Sequence, residues 1–113
     1  MLLVALALAQ LTITGIGAPY PAATIQGTVE QQSCGTRYVI STTDPIGKLV
    51  TFYRAQAAAA GVPLLDDSAA KFADYRTLVF VKRPRFLDVV LARHNGRTTA
   101  RVSYHLTIPP DCN

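Results

Sequence analysis

One segment of this chain has apolar residues at helical spacing, and strand-like runs lie on both sides of it. The apolar side chains recur every three or four positions, at Ile46, Leu49, Val50, Tyr53, Ala57 and Ala60. Pro45 suits the first turn of a helix, where its missing N–H costs nothing, and Thr43 or Asp44 can cap that turn. Gly61 suits the position after a helix, and the proline two residues later prevents continuation. The pattern predicts one helix over residues 45–60.

Strand-like runs rich in β-branched and aromatic residues surround this helix. They cover residues 24–31, 36–42, 76–82, 86–94 and 98–108. The Asn95-Gly96 pair predicts a tight hairpin between the last two runs. In the final run the apolar positions Val102, Tyr104, Leu106 and Ile108 alternate with Arg101, Ser103, His105 and Thr107. This alternation predicts one buried and one outward face.

The region between the helix and the third run has weaker signals. Residues 62–65 are expected to be extended and partly buried, and residues 66–74 are expected to form a loop. Together the elements predict an α+β fold in two layers, with one main helix packed on an antiparallel sheet of four to six strands.

The first 18 residues, MLLVALALAQLTITGIGA, form a short apolar segment that ends in small residues. Such a segment is typical of an export signal, and its purely apolar part is far shorter than the ~20 residues of a transmembrane helix. Cleavage after Ala18 would leave residues 19–113 as a single domain. Cleavage after Ala9 and an ordinary buried helix are the alternatives. We therefore expect export to a periplasm or beyond, and no membrane-spanning part after signal removal.

The chain has two cysteines, Cys34 and Cys112. In an exported protein they are expected to form a disulfide, whose Cα atoms must lie within about 7 Å. The strand after Cys34 and the last strand would then be antiparallel, and the segment 62–75 would carry the chain back along the sheet. If the thiols are free, this constraint disappears.

The positive charge is concentrated in one part of the chain. The net charge is +4, yet residues 75–105 contain seven basic residues and a single acid, Asp88. Six arginines are candidate anion-binding residues: Arg76, Arg83, Arg85, Arg93, Arg97 and Arg101. Such residues can attract an anionic envelope component or a protein partner, or they can simply solvate one face of the sheet. An exported protein is not expected to bind nucleic acid.

Residues suited to catalysis are few, and no catalytic site, metal site or cofactor is expected. His94 precedes the hairpin turn and His105 has the outward phase of the last strand, so the two are not expected to face each other. Asp66, Asp67 and Asp74 match no calcium-loop spacing, and helix capping and solubility account for them better. The sequence contains no glycine-rich phosphate loop, CxxC pair or HExxH helix.

Two short motifs stand out, namely the lead-in Pro19-Tyr20-Pro21-Ala22-Ala23 and the helix pattern formed by Thr42-Thr43-Asp44-Pro45, Val50-Thr51-Phe52-Tyr53-Arg54 and Gly61. They resemble motifs of a group of small bacterial exported proteins and lipoproteins of uncharacterised function. Ala22 stands where the group usually has Gly, and Val62 where it usually has Trp. The resemblance covers residues 19–62. It implies an exported α+β domain and carries over no catalytic residue.

These observations favour a non-enzymatic binding or envelope accessory module. One alternative is a small enzyme with a site near loop 62–75, using Asp66, Asp67 or Asp74 with a histidine. The other is a secreted inhibitor whose loop 62–75 or turn 83–85 enters the cleft of a partner.

Overall fold

A computed structural model describes residues 16–32, 35–68 and 74–105, which form six strands and one helix. The elements are β1 (Thr24–Gln32), β2 (Gly35–Thr42), α1 (Ile46–Ala59), β3 (Leu64–Asp67), β4 (Tyr75–Lys82), β5 (Arg85–His94) and β6 (Arg97–His105). The strands form one antiparallel sheet in the order β1-β2-β6-β5-β4-β3. The predicted helix on an antiparallel sheet is confirmed. Because the described chain is mostly sheet, the α+β class applies only loosely.

Helix α1 buries the face that its spacing predicts, with Leu49, Val50, Tyr53 and Ala57 against the sheet. Its start differs from the prediction. The N-cap is Pro45, without any side-chain cap hydrogen bond, so neither Thr43 nor Asp44 has the predicted capping role. Asp44 is used elsewhere, because its carboxylate accepts a hydrogen bond from the hydroxyl of Tyr20 at 2.5 Å.

The core lies between α1 and one face of the sheet. Alternate residues of four strands point into it, namely Tyr38, Ile40, Leu78, Phe80, Leu87, Val89, Leu91, Ala100, Val102 and Tyr104. Burying each large apolar side chain stabilises the fold by about 1.5–3 kcal/mol. The predicted alternation of the last strand is confirmed up to His105, and residues 106–108 lie outside the described part.

Strands β2 and β6 are antiparallel neighbours, with Gly35 opposite His105. The predicted relation between these two strands is therefore confirmed. Cys34 and Cys112 lie outside the described residues, so their pairing remains a prediction.

The predicted loop at 66–74 is wrong at its start, because Asp66 and Asp67 belong to β3. Main-chain hydrogen bonds extend the pairing of β3 with β4 on both sides of the strand. Val81 N–H donates to the carbonyl of Pro63, and Ser68 N–H donates to that of Thr77. Residues 69–73 of the predicted loop lie outside the described part. The predicted return of the chain along the sheet is made by β3.

Residues 16–18, the end of the predicted leader, pack between the helix and the sheet. We call them the strap. Ile16 is 1% exposed and belongs to the core. Gly17 N–H donates to Gln56 Oε1 at 2.6 Å, Gln56 Nε2 donates to the carbonyl of Ala18 at 3.1 Å, and Tyr38 Oη donates to the carbonyl of Gly17 at 2.8 Å. The strap thus contributes one core side chain and satisfies polar groups of both layers.

Candidate functional site

The six candidate arginines do not form one surface. Residues opposite each other in an antiparallel sheet share a face, and Arg76 and Arg93 lie opposite the buried residues Leu91 and Thr98. They therefore lie on the side of α1. Arg97 and Arg101 have the opposite phase, whereas Arg83 and Arg85 lie at the β4–β5 turn.

Arg76 forms an ion pair with Asp67 of the neighbouring strand. Its Nε and Nη2 donate to the two carboxylate oxygens at 2.9 and 2.8 Å, which is the fork geometry that suits guanidinium and carboxylate. The hydrogen bond to Asp67 raises the pKa of Arg76. Arg54 of α1 lies 3.6 Å from the same carboxylate. The alternative of Asp67 as a catalytic or cation-binding group therefore requires breaking a closed ion pair.

Arg93 and Arg97 hold the junction between β2 and α1. Nη1 of Arg93 donates to the carbonyl of Asp44 at 2.7 Å and to Thr98 Oγ1 at 2.7 Å. Nε of Arg97 donates to Ser41 Oγ at 2.8 Å. These contacts give both arginines a structural role.

The β4–β5 connection presents Lys82, Arg83 and Arg85, which we call the basic turn. Lys82 and Arg85 lie directly opposite each other, and Lys82 and Arg83 are exposed. Within the described residues, no acidic side chain forms a hydrogen bond or ion pair with these three. Lys82 was not among the candidate anion-binding residues, although the run Lys82-Arg83-Pro84-Arg85 shows in the sequence that it adjoins two of them. The basic turn is therefore the densest group of cations without an acidic partner in this part of the chain.

The side of the sheet opposite α1 is a second candidate surface, which we call the open face. Within residues 16–32, 35–68 and 74–105, no element packs on it. Its centre is Asp88, which lies opposite Val79 of β4 and Ser103 of β6. Oδ1 of Asp88 is closed to solvent and has no hydrogen-bond partner in the part of the chain that the structure describes. Burial raises the pKa of Asp88, and the charge of His105 offsets part of this effect.

The two histidines lie at opposite ends of the β5–β6 hairpin, as predicted. His94 is opposite Arg97 and His105 is opposite Phe86, whose ring it meets edge-on with centroids 5.8 Å apart. Among the described residues, no three His, Cys, Asp or Glu side chains are placed to hold a metal ion. Asp66 and Asp74 are exposed and gather no histidine there.

The two sequence motifs meet at a shallow groove beside the start of α1. Tyr20 of the lead-in packs edge-on against Phe52 of the helix, with centroids 5.4 Å apart. The groove has a volume of about 540 Å³, and Tyr20, Phe52 and Lys48 contribute to its lining. The hydrogen bond to Asp44 raises the pKa of Tyr20, so the hydroxyl remains a donor that ties the lead-in to the helix start. The groove thus lies between the lead-in and the helix, and Lys48 is the only charged side chain among the described residues that line it.

Comparison of the chain with protein-family models, curated proteins and solved structures gave no match. The helix of the described residues is too short and too polar to cross a membrane.

Proposed function

We propose that this protein is a small exported binding module, without enzymatic activity, that attaches to an anionic component of the cell envelope through the basic turn. The observation that carries the proposal is the grouping of Lys82, Arg83 and Arg85 at one connection with no acidic partner among the described residues. The other candidate arginines support it less, since Arg76, Arg93 and Arg97 are bonded within the fold.

The geometry favours a flat, extended anionic partner over a small ligand. The three cations stand on a connection between strands and are not gathered around a cavity. Each basic residue near an anionic surface contributes about 1 kcal/mol to attachment. Three together would supply about 3 kcal/mol, which corresponds to roughly a hundredfold change in partitioning.

The test is co-sedimentation with vesicles of phosphatidylglycerol and phosphatidylcholine, and in parallel with an acidic polysaccharide. The test variant is Lys82→Gln/Arg83→Gln/Arg85→Gln. The matched control is Arg37→Gln/Lys48→Gln/Arg54→Gln, which removes the same charge from exposed positions elsewhere. Binding that falls with rising salt, is lost in the test variant and persists in the control supports the proposal. Equal binding of both variants, or no binding at low salt, refutes it.

A further inference from the structure

Oδ1 of Asp88, which has no hydrogen-bond partner among the described residues, lies at the centre of the open face. A buried polar atom without a hydrogen bond is rare in a folded protein, because its lost hydration is not replaced. Its strand neighbours on this face, Phe86 and Val90, are partly buried and apolar. The carboxylate thus lies between these apolar side chains and the polar residues of β6, on a face that no described element covers.

A positively charged side chain, that of Arg101, lies close to Asp88 on the same face. Arg101 of β6 is two residues from Ser103, the residue opposite Asp88, so it occupies a diagonal position about 7–8 Å away. The two side chains form no ion pair with each other within the described residues, and Arg101 is exposed. The open face also carries Arg37, Arg97 and His105. Asp88 and Arg101 are an acid and a base side by side on it, and among the described residues neither forms an ion pair.

We infer that the open face is the interface of a symmetric homodimer, in which Asp88 of each copy pairs with Arg101 of the other. A two-fold interface brings the same patch of both copies together, so a patch that carries an acid beside a base is complementary to itself. The partly buried apolar residues that share this face surround the pair, and they are Val39, Val79, Val81, Phe86 and Val90.

The size of the face is sufficient for this role. The six strands lie about 4.8 Å apart and have a mean length of about eight residues at about 3.3 Å per residue, so the sheet spans roughly 29 by 26 Å, or about 750 Å². A standard protein interface buries about 800 Å² per partner. The inference is independent of the proposed function, because the basic turn contributes no residue to this pairing.

The test is a charge exchange read out by sedimentation velocity and native mass spectrometry of the full chain at about 50 μM. The wild type is expected to be dimeric. Asp88→Lys and Arg101→Glu each place like charges opposite each other in a homodimer, so each variant alone is expected to be monomeric, with association weakened at least tenfold.

Mixing the two variants restores both charge pairs. Lys at position 88 of one copy then meets Glu at position 101 of the other, and Arg101 of the first meets Asp88 of the second. A one-to-one heterodimer in the mixture supports the inference. A monomeric wild type, a dimeric Arg101→Glu variant or a mixture that stays monomeric overturns it. Because Arg101 is exposed, the Arg101→Glu variant decides the question by itself if Asp88→Lys does not fold.

Discussion

Replacing Gly17 by alanine tests whether the strap belongs to the folded domain. Gly17 has φ of +83°, in the left-handed region that alanine occupies at a cost of about 1–2 kcal/mol. A Cβ at this position would lie 2.9 Å from Cβ of Tyr104. Tyr104 is 2% exposed in strand β6, so its Cβ moves only with the sheet. Overpacking of this kind lowers the free energy of unfolding by a further 1–3 kcal/mol, roughly.

Release of the strap limits this cost. If Gly17→Ala detaches residues 16–18, the protein loses the burial of Ile16, about 1.5–3 kcal/mol, together with the three hydrogen bonds to Gln56 and Tyr38. Both routes lower the free energy of unfolding, and the backbone and contact costs together give an expected loss of about 2–5 kcal/mol.

Gly61→Ala is the matched control. Gly61 has φ of +73° after α1, yet a Cβ there would meet no atom within 4 Å. It therefore measures the cost of the left-handed backbone alone. The difference between the two variants, about 1–3 kcal/mol, isolates the contact with Tyr104 and corresponds to a melting temperature lower by roughly 5–15 °C for a domain of this size.

The assay is thermal and denaturant unfolding of the full chain, followed by circular dichroism. Gly17→Ala is expected to unfold well before Gly61→Ala, with an unchanged denaturant slope. If Gly17→Ala is as stable as Gly61→Ala or more stable, Gly17 is not held against Tyr104, and the strap is not part of the core.

Two further predictions concern the strap and the open face. A chain that begins at Pro19 lacks Ile16 and the partners of Gln56, so it is expected to melt below a chain that begins at Gln10; equal melting temperatures would contradict this. Burial raises the pKa of Asp88, so the folded protein binds this proton more tightly than the unfolded chain, and the group reduces stability above its folded pKa. The comparison is between the Arg101→Gln variant and the double variant Arg101→Gln/Asp88→Asn. The double variant is therefore expected to have the larger free energy of unfolding at pH 7, and the difference should close as the pH falls below the ordinary aspartate range. A gap that does not change with pH in urea unfolding would show that burial of the charge is not its cause.

Local patterns were sufficient to predict the helix and most strands. The spacing of Leu49, Val50, Tyr53 and Ala57 defines one apolar face, and a helix with one such face must bury it. The Asn95-Gly96 pair forms the β5–β6 turn, where both residues have positive φ, as a tight hairpin requires. These features depend on neighbours within a few residues, which the sequence displays directly.

The placement of the charges depends on pairing across the sheet. In sequence, Arg76, Arg93, Arg97 and Arg101 form one basic region, but the phase of each strand sends the first two to the side of α1 and the last two to the open face. Asp67 was expected in a loop, yet it lies in β3 within reach of Arg76 because β3 pairs with β4. Strand register decides which side chains meet, and a one-residue change in register would exchange the two faces.

The sequence by itself determined one amphipathic helix, its boundaries to within a residue, and strands with one apolar face, because these follow from residue spacing and backbone preference. Only the tertiary structure decided three other features. Asp44 accepts a hydrogen bond from Tyr20 and does not cap the helix, and Ile16 fills the space between helix and sheet. Oδ1 of Asp88 has no hydrogen-bond partner among the described residues of the open face. In each case the deciding neighbours lie on other segments of the chain, and packing sets where these segments meet.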